Sequence, residues 1–415
     1  MRKGRKRFAL LAMLALGALC AGLSISDPAE AQTKDVKIAL IVPLSGPWAR
    51  QGVLEREGAE MAVAQINAAG GIKSLGGAKL QLVVADTGDS AEKAKDAAQR
   101  VLADNPDLVG GIGAWLSSFT LAVTEVTERA ELPWFTLSYS DQITARGFHY
   151  VFQTSATADT QANLALPTVL ALAKSATGKV PATAGILSDN TAAPVSFVKP
   201  MREGGLEKAG VKLVVDQVYT PPLSDATPLI EKVRTARPDF LFMISTNVPD
   251  DALLVEKLSE MGLGGGKLPV VGNGAHLGAP ELLKVTGPDV LEGIMVTVAN
   301  WPGKGQEELI DAFKKRTGEP WMTQDNLCAY GHVWIIKDAL EKAGAADRHK
   351  VAEAIRGLDM RDGPALFFPG HHLKFDAKGR REDAMLAMIQ WQNGKPVAIY
   401  PQEIAVASAI WPKMA

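Results

Sequence analysis

With 415 residues, 47% of them hydrophobic and 22% charged, the chain is long and apolar enough for two domains with full cores, which excludes a disordered polypeptide. A formal net charge of −2 excludes the dense positive surface of a nucleic-acid binder.

The chain opens with Arg2, Lys3, Arg5, Lys6 and Arg7, then an apolar run from Phe8 to Leu23, then Ala29-Glu30-Ala31. A basic start, an apolar stretch and a small-x-small site predict a secretory signal peptide over residues 1–31, cleaved after Ala31, and a periplasmic destination. Ser24, Ser26 and Asp27 end the apolar run short of the roughly 20 residues a bilayer-spanning helix needs, which argues against a membrane anchor. Cys20 follows the bulky Leu19, where lipoprotein processing wants a small residue, so it reads as part of the discarded leader. Cys328 is then alone in the mature chain, and the fold must stand without an intrachain disulfide in an oxidising compartment.

Beyond Thr33, short β-branched runs alternate with Ala-rich helical segments, the pattern of βαβ units around parallel sheets. Strands are predicted at Val36 to Leu44, Leu80 to Ala85, Asp107 to Gly111, Pro133 to Leu137 and His149 to Thr154. The helices among them are Leu54 to Ala69, closed by Gly70-Gly71, Ala91 to Leu102, and one beginning near Ser118. A second series has strands at Thr183 to Leu187, Val211 to Val215, Phe240 to Ile244 and Leu268 to Val271, with helices between them. In the last quarter, helices at Glu307 to Lys315, Asn326 to Lys342 and Lys350 to Ile355 precede short strands at Leu373 to Phe375, Met385 to Gln392 and Pro396 to Tyr400. The last two flank the turn dipeptide Asn393-Gly394. Two series separated near Ser155 predict two lobes of an α/β fold.

Catalytic and cofactor motifs fail one by one. Gly110-Gly111-Ile112-Gly113 is followed by Leu116 where a dinucleotide turn needs glycine. Gly264-Gly265-Gly266-Lys267 is followed by Leu268 instead of Ser or Thr and precedes a strand, so it is no phosphate loop. There is no G-x-S-x-G elbow, and neither Ser45 nor Ser117 has a local base. His371-His372 is the only close histidine pair, and adjacent residues point apart, which disfavours a shared metal. No cofactor, metal or catalytic residue is expected.

What remains is polar and aromatic residues at the carboxyl ends of strands, where open α/β sheets bind ligands. The segments Lys37 to Pro47, Gly58-Ala59-Glu60, Ile66 to Ile72, Gly113 to Ser118, Thr144 to Phe148 and Phe375 to Gly379 carry a resemblance, by order and spacing, across nearly the whole mature chain. It resembles the Leu/Ile/Val-binding protein family, periplasmic receptors of ABC importers. The resemblance implies two Rossmann-like lobes with parallel sheets, joined by three crossings placed near residues 155, 296 and 383. Lobe 1 would comprise 32–155 plus 297–383, and lobe 2 would comprise 156–296 plus 384–415. It also implies hinge closure on a small molecule and docking onto a membrane permease. The receptor is expected to be a monomer.

By the same resemblance, Ser117 opens a helix, and its hydroxyl with the backbone N–H groups of Leu116-Ser117-Ser118 holds a ligand carboxylate. A helix N-terminus favours an anion in any case, although a plain N-cap role is the alternative for Ser117. Ser138, Tyr139 and Ser140 should continue that wall, and Trp115, Trp48 and Gln51 should line the same lobe, with core packing the alternative for both tryptophans. Amino-acid binders of this family hold the ligand ammonium with carboxylates of the second lobe, yet the matching positions here are Ala158 and Gly274. An unpaired buried ammonium is costly, so either Asp159 or Asp189 substitutes or the ligand lacks an α-amino group, as in aromatic carboxylates or small amides. Asn247, Asn273 and His276 would then read a hydroxyl or carbonyl, with a surface or loop role as the alternative. The two rival readings are an exported α/β enzyme and a sensory ligand-binding domain.

Overall fold

The computed structural model describes residues 34–411, and the leader, its cleavage position and Cys20 lie outside them. Five parallel strands, β1 (Val36–Val42), β2 (Leu80–Asp86), β3 (Leu108–Gly113), β4 (Trp134–Thr136) and β5 (Val151–Gln153), form a first sheet in the order β2-β1-β3-β4-β5. In β1 every residue except Lys37 is buried, because helices cover both faces of a parallel sheet. The connecting helices are α1 (Ala49–Ala68), α2 (Ala91–Asp104) and α3 (Ser117–Arg129). Ser90 starts α2 by accepting from Lys93 N–H at 3.2 Å, while Gly70 and Gly71, both at positive φ, end α1.

After β5 the chain enters α4 (Ala158–Thr177), which Thr157 caps, and begins a second sheet. Its strands are β6 (Thr183–Asp189), β7 (Lys212–Tyr219), β8 (Phe240–Ile244), β9 (Val270–Asn273) and β10 (Met295–Val298), all parallel. A two-residue pair, β11 (Asp359–Met360) and β12 (Leu373–Lys374), stands apart from both sheets. A hairpin, β13 (Ala387–Gln392) and β14 (Lys395–Tyr400), then adds antiparallel strands beyond β10. The full order is β14-β13-β10-β9-β8-β6-β7. In β8, Leu241 and Met243 pack into the apolar cluster on one face, whereas Phe240, Phe242 and Ile244 pack into the cluster on the other. The Asn393-Gly394 turn holds φ of 53° and 72°, the left-handed pair that a two-residue hairpin needs.

Several boundaries differ from the expected ones. β10 spans the crossing expected at 296; its pairing with β9 and β13 keeps it in the second sheet, so the chain leaves only after Val298. β9 begins two residues later than expected and ends on Asn273, and β3 likewise ends on Gly113. The helix Gln324–Ala343 returns to the first sheet and packs against α1, where Asn326 Nδ2 donates to the Leu54 carbonyl at 2.7 Å.

Glycines in this half serve close packing. A Cβ on Gly111 would lie 2.4 Å from the Trp134 ring, so the Gly110-Gly111 run makes room for an aromatic, not for a phosphate. On Gly58 a Cβ would lie 2.0 Å from the Asn326 carbonyl oxygen. Alanine normally stabilises a helix interior over glycine by about 1 kcal/mol. Here Gly58→Ala is expected to destabilise by about 1–3 kcal/mol instead, because the two helices must separate. Urea denaturation checks the sign, and a gain in stability would refute this packing.

Candidate functional site

The carboxyl ends of both sheets face one cavity, with about 390 Å³ of empty space counting its open mouth. Trp115, Leu116, Ser117, Leu137, Ser138, Tyr139 and Gln324 form one wall. Ala193, Pro194, Ser245, Thr246 and the run Asn273-Gly274-Ala275-His276 form the other.

The first wall begins where β3 ends. Ala114 and Trp115 both adopt left-handed backbone, with φ of 67° and 44°, a costly conformation for residues with a Cβ. Leu116, not Ser117, is the N-cap residue of α3 and makes no side-chain cap, so the plain N-cap role considered for Ser117 does not hold. Ser117 Oγ instead accepts from the backbone N–H groups of Tyr139 at 3.2 Å and Ser140 at 3.1 Å. A hydroxyl has two acceptor sites and one proton. With both acceptors filled, Ser117 keeps its O–H to donate beside the first-turn N–H groups of α3.

Ser138, although it lines the cavity, is spent. It donates to the Trp115 carbonyl at 2.6 Å, accepts from Thr136 Oγ1 at 2.9 Å and lies 2.6 Å from Thr120 Oγ1. Tyr139 donates its phenolic proton to Gln324 Oε1 at 2.7 Å and accepts from Ala299 N–H at 3.3 Å, which leaves its ring as the cavity surface. Trp115 donates from Nε1 to Asp325 Oδ1 at 2.9 Å and sets its ring edgewise to His276, 6.2 Å away across the cavity. Burial pushes the Asp325 carboxyl up to about 6 despite that bond.

The second wall hides its charges. Asp189, at the end of β6 and fully buried, accepts from Thr246 Oγ1 at 2.6 Å and from the N–H and Oγ1 of Thr191, yet burial still raises it to about 6. Asp251 accepts from Ser245 Oγ and faces His276 Nδ1 at 2.6 Å. Burial alone would discharge His276, but the adjacent Asp251 carboxylate outweighs it and holds the ring above its ordinary range. Among the described residues, no carboxylate lines the cavity.

Of the expected site residues, Trp115, Leu116, Ser117, Ser138, Tyr139, Asn273 and His276 meet at the cavity. Six others lie outside its lining. Ser118 Oγ accepts from Ala192 N–H at 3.3 Å, and Ser140 Oγ lies 3.2 Å from Ser196 Oγ; both bonds tie the two halves together. Trp48 donates to Thr246 Oγ1 at 3.4 Å and packs edgewise on Phe119. Gln51 is buried in α1 with no partner for its amide, Asp189 sits behind Thr246, and Asn247 caps the helix Val248–Glu260 through Asp250 N–H. Asp159, considered as a substitute acid, is exposed in the first turn of α4. Ser245 and Thr246 were missed although they directly follow the predicted strand Phe240 to Ile244, at the end where parallel sheets bind ligands. For Gln324 the sequence held no cue.

A family model described as periplasmic binding protein matches residues 35–396. A Leu/Ile/Val-binding protein homolog 7 from Brucella melitensis is 29% identical, over 97% of this chain and 99% of that protein. Two solved structures share the fold. One is the branched-chain amino acid transporter substrate-binding protein of Streptococcus pneumoniae in complex with isoleucine. It has a TM-score of 0.75 and 19% identity, over 88% of this chain and all of that one, at 100%. The other is a solute-binding protein from R. palustris in complex with benzoate, with a TM-score of 0.73 and 17% identity, over 91% of this chain and 99% of that one.

Proposed function

The chain belongs to the periplasmic binding protein family and is a substrate-binding protein of the ABC-transporter kind, not an enzyme; from that premise we propose that its cargo is a small carboxylate without an α-ammonium group. The observation that supports this is the absence of any carboxylate from the cavity lining among the described residues, with Asp189 and Asp251 bonded behind Thr246, Ser245 and His276. An ammonium placed there would exchange its hydration for uncharged hydroxyl and amide oxygens alone, a loss of several kcal/mol. The ligand carboxylate is held by the Ser117 hydroxyl and the start of α3, in a chamber walled by the Trp115 and Tyr139 rings.

In this reading residues 1–31 are an export leader cleaved after Ala31, and the mature monomer works in the periplasm. Its lobes are 34–155 with 299–383 and 156–298 with 384–411. They close on ligand, and the closed form docks onto the permease. The test is a thermal-shift screen of refolded, ligand-stripped protein against leucine, isoleucine, valine and aromatic or aliphatic carboxylates without an amino group. A ligand at 100 times its Kd adds about 2.7 kcal/mol. A clear upward shift is expected with an amine-free carboxylate. Shifts confined to the three amino acids refute the proposal.

A further inference from the structure

Hydrogen-bond direction divides the cavity into two unlike halves. A carboxylate only accepts, so Ser245 Oγ must give its proton to Asp251, and Thr246 Oγ1 must give its own to Asp189 at 2.6 Å. What these hydroxyls turn to the cavity is lone pairs. Trp48 Nε1, at 3.4 Å, occupies one of those on Thr246 and leaves the other. Asn273 behaves alike. Its Nδ2 donates to Gln161 Oε1 at 2.9 Å and to Thr297 Oγ1 at 3.0 Å, and Gln161 is itself oriented by donating to the Ala156 carbonyl at 2.8 Å. That fixes the amide with its donor in the wall and its oxygen toward the cavity.

The opposite wall has the reverse polarity, since Ser117 Oγ already accepts two backbone N–H groups and has only its proton to offer. One wall therefore donates and the other accepts. We propose that the cavity selects a carboxylate that also carries an uncharged hydrogen-bond donor, a hydroxyl or an amide N–H, read by Thr246, Ser245 and Asn273. This rests on the reading above that Ser117 holds a carboxylate. A ligand lacking the donor leaves one more of these acceptors without a partner than its donor-bearing analogue does, and that difference sets the discrimination. Asp189 and Asp251 are positioning residues: they touch no ligand and set the direction of the two hydroxyl protons.

The test uses two matched series at pH 8 in titration calorimetry with the ligand-stripped mature chain. One is phenylacetate, mandelate and phenylglycine; the other is 4-methylpentanoate, 2-hydroxy-4-methylpentanoate and leucine. In a series that binds, the hydroxy acid is expected to bind at least about 10-fold tighter than its deoxy partner. Thr246→Val should reduce that ratio severalfold, while Thr246→Ser, which keeps the acceptor, preserves it. A deoxy acid that binds equally well or better overturns the proposal and leaves the carboxylate reading standing. If the amino acid binds tightest, the donor is a charged ammonium, and both this proposal and the amine-free reading are overturned. In parallel, the compound released on unfolding the protein as purified is examined by mass spectrometry in deuterated solvent. At least one exchangeable proton beyond the carboxyl is expected, and a compound without one overturns the proposal.

Discussion

Replacing Ser117 by alanine is expected to lower the stability of the protein by about 2–4 kcal/mol and to weaken carboxylate binding on the order of 100-fold. The stability loss follows from two backbone groups. The N–H of Tyr139 and the N–H of Ser140 both end on Ser117 Oγ, in a place where all three residues are buried. Alanine leaves both donors unpaired, at about 1–3 kcal/mol each, with some relief from water entering the cavity. The affinity loss follows from the missing O–H, since a hydrogen bond to a charged group is worth about 1.5–3 kcal/mol. Ser117→Thr retains the oxygen and is expected to recover most of the stability. Urea denaturation and calorimetry, with the tightest compound from the screen, read the two effects separately. An alanine variant as stable as the parent would show that the oxygen does not anchor the segment after β4.

Ser117 was expected at the site from the family resemblance, and the local pattern agrees with it. A strand, a short turn and a helix start lie within Leu108 to Phe119, and the carboxyl end of a parallel strand is where the fold places ligands. The strands of both sheets were readable because their cue is local: continuous apolar runs such as Phe240 to Ile244 need no knowledge of partners. Gln324 had no such cue. It reaches the cavity from a helix 185 residues downstream of the Tyr139 it bonds, and no periodicity encodes that meeting. The length of β9 was also a tertiary matter, since Gly272 and Asn273 join the strand by pairing with Val296 and Thr297 of β10, a strand not anticipated.

Charge was the least legible property. The sequence offers Asp189 as an acid that substitutes for the missing ammonium partner. In the structure Thr246 and Thr191 already occupy it. Whether a carboxylate faces a ligand or a neighbouring hydroxyl depends on two other loops, and that choice inverts what the wall presents, from a negative charge to neutral acceptors. Gln51 differs in another way. The family resemblance implied that it lines the first lobe, but it lies within α1, which begins at Ala49 instead of Leu54, and turns into the interior, close to Glu55 on the same helix face.

Asp325→Asn is expected to raise stability by about 3 kcal/mol at pH 8 and to change it little at pH 4. Asp325 is fully buried and titrates near 6 in the folded protein, against an ordinary value of 3.8. The folded state therefore binds this proton more tightly than the unfolded state does. Stability is undiminished by this group below about 3.8, falls as the pH rises toward about 6, and stays lowered above it, by about 1.4 kcal/mol per unit of the interval. Asparagine does not titrate, and its oxygen can keep the 2.9 Å bond from Trp115 Nε1. Its new N–H₂ enters a region poor in donors, where Asp325 Oδ2 and both oxygens of the buried Glu55 have no partner, and where the Asp325 charge helps to raise Glu55 further. Unfolding free energies at pH 4, 6 and 8 should converge at the acid end and separate at the alkaline end, and curves that run parallel throughout would refute the assignment. Because Trp115 meets Asp325 through geometry that asparagine reproduces, ligand affinity should stay within about threefold of the parent, a limit below the cost of losing one neutral hydrogen bond outright. A larger loss would mean that the negative charge itself, and not the placement of the Trp115 ring against His276, serves the cavity.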